Sequence, residues 1–324
     1  MSQQFKPKLT ITESREFSTE AFSIISSRFN VRERDLLQNQ IADQIKDSDV
    51  IWITLRNYIG QRELEYADKI KTIVTATTGI DCIDVDYCDS RGIKILSLRG
   101  ETEFLKTITP TAELTLALML CSLRNLPKAI KSVPQGEWNR DVYKGHDLAG
   151  QKVGIVGMGR LGSILASYLA QMGANVFYYE PFVPSNAVAH RVDTLNALFA
   201  SCKIISVHAP STLETFHLIG REQFESIQDP IYFFNTARGE LVDEDALLCA
   251  LQTGKIIGGG IDVLSDETHV DISHHPLVEM VKKLPNFYIT PHIGGCTHQA
   301  MAKTQVFMAE KLIRHWQSVQ SGAL

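Results

Sequence analysis

Ten short runs rich in β-branched and other apolar residues punctuate the chain. They lie at Lys8–Thr12, Asp49–Thr54, Thr72–Ala76, Ile93–Leu98, Lys152–Val156, Asn175–Tyr179, Ile204–His208, Ile231–Asn235, Gly259–Val263 and Phe287–Thr290. Each is apolar almost throughout rather than alternating, the pattern of a strand covered on both faces, and most are followed by an amphipathic stretch. That rhythm predicts an α/β protein built on parallel sheets. One interval breaks it. From Thr109 to Gly150 no strand signal occurs, Pro110 is placed for a first helical turn, and Ala112–Leu126 is apolar nearly all round. This interval reads as the hinge between two doubly wound parallel-sheet domains. The helical pattern Gln299–Ser318 follows the second strand series and is expected to return to the first. The expected domains are therefore 1–106 plus 292–324, and 107–291.

Length and charge narrow the function. A chain of 324 residues, 44% of them hydrophobic, suffices for two domains of about 150 residues. The 32 Lys and Arg against 37 Asp and Glu leave a net charge of -5 with no block of like charge, so nucleic acid is not an expected partner. The stretch from Met1 to Pro7 lacks the apolar core of a signal peptide, and the apolar run Leu114–Leu123 reads as too short to span a bilayer. A cytoplasmic protein with no membrane partner is the expectation. Six scattered cysteines read as reduced thiols. His269, His274 and His275 invite a metal reading, but adjacent histidines on one backbone point apart, so no metal is expected.

The strongest local feature is an apolar run, Val153 to Val156, that meets Gly157, Met158, Gly159, Arg160, Leu161 and Gly162 and then a helical pattern. Glycines at this spacing permit a tight turn, close approach of backbone to a pyrophosphate and close packing of helix on strand. A tight βα turn without a ligand is the plainer alternative for the glycines alone. The next strand ends in an acid, Glu180, eighteen residues after Gly162, where a carboxylate accepts hydrogen bonds from ribose hydroxyls. Pro181 and Phe182 offer no guanidinium for a 2′-phosphate, and Arg191 lies farther along, so the expected cofactor is NAD rather than NADP.

Further motifs follow in order: His208-Ala209-Pro210 with Thr212 and Thr215, Asn235-Thr236-Ala237-Arg238-Gly239, Asp262-Val263, and Pro291-His292-Ile293-Gly294-Gly295. With the glycine motif and Thr78-Gly79-Ile80-Asp81-Cys82-Ile83-Asp84, this order resembles the D-isomer-specific 2-hydroxyacid dehydrogenases over nearly the whole chain. The resemblance implies a first, flavodoxin-like domain that binds substrate, a second, Rossmann domain that binds NAD, and reversible hydride transfer between NAD(H) and a D-2-hydroxy or 2-keto acid. It assigns His292 as the acid and base, Glu267 as the carboxylate that holds its ring, and Arg238 as the fork on the substrate carboxylate. Asp266 adjoins Glu267, and Thr268 stands where the family usually has Pro, so the register between the two acids stays open.

The same resemblance gives the amides of Thr78 and Gly79 to the substrate carboxylate and Asp262 to the nicotinamide end of the cofactor. Arg160 and Leu161 would cover the pyrophosphate, while His208, Ala209, Pro210, Thr215, Thr236, Ala237 and Gly294 would line the cofactor cleft. The stretch Thr102–Arg140 looks most like the phosphoglycerate dehydrogenase branch, in which Arg56 would face the far end of the substrate. A second arginine common there is Thr75 here, so a phosphorylated acid remains one option among several. The end at Leu324 carries the expectation that no C-terminal regulatory domain follows. Arms after the hinge imply a homodimer. Two rivals share much of this pattern: an NAD-sensing corepressor-like binding protein and a phosphite dehydrogenase-like enzyme. Formate enzymes carry glutamine at the Glu267 position and are disfavoured.

Overall fold

A computed structural model describes residues 6–267 and 271–320. Thr268, His269, the first five residues and Leu324 lie outside the described residues. The chain divides into two compact units, Met1–Ile108 with Thr297–Leu324, and Thr109–Cys296.

The first unit holds a five-stranded parallel sheet in the order β2-β1-β3-β4-β5. Its strands are β1 (Lys8–Ile11), β2 (Asn30–Glu33), β3 (Val50–Ile53), β4 (Thr72–Thr75) and β5 (Lys94–Leu96). Along β3 successive side chains enter opposite cores, as the two-residue strand period requires. Val50 and Trp52 pack with Leu9, Ile11, Ala21 and Ile25, whereas Ile51 and Ile53 pack with Ile41, Ile45, Ile59 and Leu64. Each fully buried side chain of this kind contributes about 1.5–3 kcal/mol. The helix His298–Gln320 packs here, with Met308, Ala309 and Leu312 in the first of those cores. Gln305 accepts the Ser18 amide at 2.8 Å, and Lys311 reaches Glu101 at 2.6 Å. β2 is absent from the sequence reading because it is an edge strand reading Asn-Val-Arg-Glu, none of it buried.

The second unit holds a seven-stranded parallel sheet in the order β12-β11-β10-β9-β6-β7-β8. The strands are β6 (Lys152–Val156), β7 (Asn175–Tyr179), β8 (His190–Arg191), β9 (Ile204–Val207), β10 (Ile231–Asn235), β11 (Ile256–Ile261) and β12 (Phe287–Ile289). Two cores cover its faces, with Ile205 and Phe233 in one and Ile155, Ile204 and Phe234 in the other. β8, an exposed edge of two residues, carries no sequence signal. β11 starts three residues before its expected position because Gly258, Gly259 and Gly260 hide it. Gly258 and Gly260 admit the helix Pro110–Leu123: a Cβ on Gly258 would lie 2.7 Å from Ser122 Oγ, and one on Gly260 3.3 Å from Leu118.

Two expectations need correction. The second unit runs to Cys296, not Pro291, because the amides of His292, Ile293 and Gly294 all donate to Asp262 at the end of β11. The apolar run Leu114–Leu123 belongs to a longer stretch of 22 residues, Thr102–Leu123, which contains an 18-residue window of mean hydropathy 1.2 and reaches membrane-spanning length. It folds as two helices, Thr102–Leu105 and Pro110–Leu123, because Pro110 lacks the amide that a continuous helix needs. Ala112, Leu118, Met119 and Leu123 are buried in the second unit.

Candidate active site

In a parallel α/β sheet the ligand crevice opens beyond the C-terminal strand ends where the order reverses. In the second unit the chain runs from β6 to β7 and β8 on one side, then returns to β9 on the other. The reversal therefore falls between β6 and β9, where the glycine turn meets His208 and Ala209. Gly157 has φ +93°, and a Cβ there would stand 2.6 Å from the Ala209 nitrogen. A Cβ on Gly162 would overlap the Gly157 carbonyl, whereas Gly159 faces open space. The helix Arg160–Gln171 starts at Gly159 without a side-chain cap, so its N-terminal amides and partial positive charge face that space. Burial lowers the pKa of Arg160 from the ordinary arginine value.

One residue past β7, Glu180 is half-buried and accepts the Phe182 amide at 3.0 Å. Phe182 itself is 90% exposed. β8 sets Arg191 opposite Tyr178, two residues before Glu180. An uncapped helix start, an open glycine and a carboxylate at the neighbouring strand end fit a dinucleotide.

Beyond β9, His208 Nε2 pairs with Ser206 Oγ at 2.8 Å, while Nδ1 is buried without a partner among the described residues. Burial pushes its pKa down to about 4, so the ring is neutral near pH 7. Thr215 ties its own loop, donating to the Pro210 carbonyl at 2.7 Å and accepting the Thr212 amide at 2.8 Å.

Beyond β10, Asn235 shapes the next loop from within. Its Oδ1 accepts the Ala237 amide at 3.0 Å, and its Nδ2 donates to the Arg238 carbonyl at 2.8 Å. Thr236 Oγ1 lies 2.7 Å from Thr115 Oγ1, which fixes the loop to the helix Pro110–Leu123. Arg238 is extended, with φ -148° and ψ 146°, and its Nη1 donates to the Ala237 carbonyl at 2.7 Å. A Cβ on Gly239 would overlap the backbone of Leu264 and Ser265. Only glycine lets the Arg238 loop press against the loop beyond β11.

That second loop carries Glu267. Its Oε2 accepts the Leu264 amide at 3.3 Å, and its Oε1 faces His292 Nδ1 in a short ion-pair contact. His292 Nε2 has no hydrogen-bond partner among the described residues. Both ends of the contact involve unusual backbone, since Asp266 and His292 each have φ +52°, a left-handed conformation that costs free energy outside glycine. Asp262 holds His292 there. Its carbonyl accepts the His292 amide at 2.9 Å, and its carboxylate accepts from Thr290 Oγ1, from the Ile293 amide at 2.9 Å and from the Gly294 amide at 2.7 Å. Burial raises the Asp262 pKa, and these hydrogen bonds oppose that rise.

Arg238, Glu267 and His292 thus sit on loops beyond three adjacent strands, β10, β11 and β12. The pairing selects Glu267 over Asp266 as the partner of the ring. Asp262 and Gly294, read from the sequence as cofactor-lining residues, bond to each other and hold the His292 loop. Thr290, Thr115 and Asn235 went unassigned as sequence: a hydroxyl or amide that ties a loop has no periodicity to reveal it.

In the first unit, the loop after β4 leaves the amides of Thr78 and Gly79 with no hydrogen bond among the described residues, while Thr77 Oγ1 donates to the Gly79 carbonyl at 2.6 Å. Thr75 is buried, its Oγ1 2.8 Å from Thr77 Oγ1. Arg56 pairs with Asp35, whose other oxygen takes Arg15 Nε at 2.6 Å.

Comparison with known proteins gives the same direction. Residues 116–294 match the family model described as D-isomer specific 2-hydroxyacid dehydrogenase, NAD binding domain. The chain is 34% identical over 281 residues to a D-3-phosphoglycerate dehydrogenase of Methanocaldococcus jannaschii, covering 86% of this chain and 51% of that protein. It therefore spans about half the length of that relative. It is 30% identical over 284 residues to a hydroxypyruvate reductase of Thermotoga maritima, covering 88% of this chain and 90% of that one. A D-lactate dehydrogenase from Aquifex aeolicus, solved in complex with NAD and lactic acid, matches with a TM-score of 0.81 at 25% identity. That match covers 97% of this chain and 95% of the other.

Proposed function

The chain belongs to the D-isomer specific 2-hydroxyacid dehydrogenase family, and from that premise we propose that it transfers a hydride reversibly between NAD(H) and a small D-2-hydroxy or 2-keto acid. The observation that carries this reading is the Glu267–His292 pair, held on strained backbone by Asp262, with Arg238 on the adjoining loop. When bound, the nicotinamide supplies the carbon that accepts or gives the hydride.

The rest of the chemistry falls to side chains of this protein. Glu267 keeps a proton on His292 Nδ1, which leaves Nε2 to take the hydroxyl proton in oxidation and return it in reduction. Arg238 presents a permanently charged fork to the substrate carboxylate and draws electron density from the C2 oxygen. The unbonded amides of Thr78 and Gly79 are assigned to substrate binding as well. The Gly157–Gly162 turn and the helix start after it would hold the pyrophosphate, and Glu180 the ribose hydroxyls. A carboxylate there repels a 2′-phosphate, so NADH is expected to be preferred to NADPH.

The test is oxidation of NADH and NADPH against glyoxylate, hydroxypyruvate, phosphohydroxypyruvate, pyruvate and branched 2-keto acids. Turnover of at least one acid with NADH preferred is the expected result. Tight NADH binding without turnover of any acid would contradict it and point to a binding protein.

We assign a homodimer to the enzyme on the apolar surface that follows the helix Pro110–Leu123. Ile130, Val133 and Val142 are at least half exposed, and Trp138 is 90% exposed. Side chains of this kind clustered in one short segment mark a protein interface. Light scattering at micromolar concentration should give the mass of two chains, and the mass of one would contradict the assignment. The six cysteines are all free, which supports a cytoplasmic location.

A further inference from the structure

A second carboxylate–imidazole pair lies behind the Glu267 loop and has no part in the chemistry above. Glu244 opens the helix Glu244–Gln252. Its Oε1 accepts the Ser265 amide at 2.8 Å, and its Oε2 lies 3.2 Å from His275 Nε2. His275 is 8% exposed, and its Nδ1 accepts the Leu277 amide at 3.3 Å at the start of the helix Pro276–Val281. A neutral ring with its proton on Nε2 satisfies both contacts. Glu244 therefore ties two points, Ser265 and His275, to the first turn of one helix.

The loop is fixed residue by residue. The amide of Leu264 goes to Glu267, that of Ser265 to Glu244, and that of Asp266 to Glu240 at 3.3 Å. These three amides immediately precede the carboxylate that meets His292, and Asp266 carries the positive φ. All three carboxylates are partly buried, and the Asp266 to Glu240 contact is the exposed one. The Glu244 side chain, 21% exposed, is somewhat more enclosed than that of Glu267 at 30%. Burial raises the pKa of Glu244, the Glu240 carboxylate adds to the rise, and the Ser265 amide and His275 oppose it.

We propose that Glu244, locked between Ser265 and His275, is a positioning residue that fixes the loop from which Glu267 meets His292, and so sets the orientation of the proton-carrying ring. The inference rests on the reading of His292 as the proton carrier. Removing the Glu244 carboxylate frees the Ser265 amide, lets Asp266 leave its strained conformation and detaches Glu267 from the ring. The cofactor turn at Gly157–Gly162 lies beyond β6, three strands from β11, and is left alone.

Glu244→Ala and Glu244→Gln in the full chain are to be assayed beside Glu267→Gln, with NADH and the fastest 2-keto acid of the panel above. Glu244→Ala should lower kcat about 10- to 100-fold, the usual scale for losing a group that orients a reacting residue. The NADH dissociation constant should stay within about twofold, and Glu244→Gln, whose amide oxygen still accepts from Ser265, should recover part of the loss. A folded Glu244→Ala with unchanged kcat overturns the proposal, as does a parallel loss of NADH affinity. Should Glu244→Ala fail to fold, His275→Asn carries the same criteria. If Glu267→Gln is impaired and Glu244→Ala is not, the positioning role alone falls; if Glu267→Gln keeps full turnover, the reading of the site falls and the positioning role with it.

Discussion

Arg238→Ala should lower kcat/KM by two orders of magnitude or more, corresponding to a loss of about 3 kcal/mol for a charge-assisted contact in a dry site. The fold should survive, because Asn235, the Thr115–Thr236 contact and the close fit of Gly239 hold the loop alongside the Arg238 to Ala237 hydrogen bond. Arg238→Lys should recover only part of the loss, since an ammonium keeps the charge without the planar fork. Steady-state kinetics with a thermal melt of each variant checks this, and full turnover by a folded Arg238→Ala would remove Arg238 from the site.

The second large effect concerns His292. Its backbone has φ +52°, so alanine would remove the ring and also strain the loop. Asparagine tolerates that conformation better than other substitutes, which makes His292→Asn the cleaner variant. Loss of the proton carrier should lower kcat about 10²- to 10⁴-fold. NADH affinity and melting temperature should stay close to those of the parent, because the loop remains pinned by Asp262 through the amides of residues 292 to 294. A His292→Asn variant that turned over normally would transfer the acid–base role elsewhere.

How much of this is legible in the sequence depends on which physical signal each residue leaves. Interior strands announce themselves, since burial on two faces demands unbroken apolar runs, and β3, β4, β9 and β10 are buried at every position. The edge strands β2 and β8 are held by backbone pairing along one side and read as loops. In β11 the need to admit a helix closely outweighs β propensity, and the resulting Gly258–Gly260 run masks half the strand.

The site divides the same way. Arg238 and His292 are recognisable because each sits in a motif of chemically demanding residues in a fixed order, whereas Glu267 is read only from the family resemblance, five residues after Asp262. Choosing between Asp266 and Glu267 required the loop, because adjacent acids have the same composition and differ only in where the chain aims them. The burial of Asp262 and the tie between Glu244 and His275 connect positions far apart in sequence, and no local spacing records such a link.

The central claim is that hydride passes between a nicotinamide carbon and C2 of an acid gripped by Arg238 and protonated by His292. The most direct measurement uses NADH deuterated at C4 and follows the label into the hydroxy acid product by NMR. Deuterium at C2 of a single D-configured product, with the signal lost in His292→Asn, is the predicted result. Product without the label at C2, or labelled product formed equally well by His292→Asn, would contradict it.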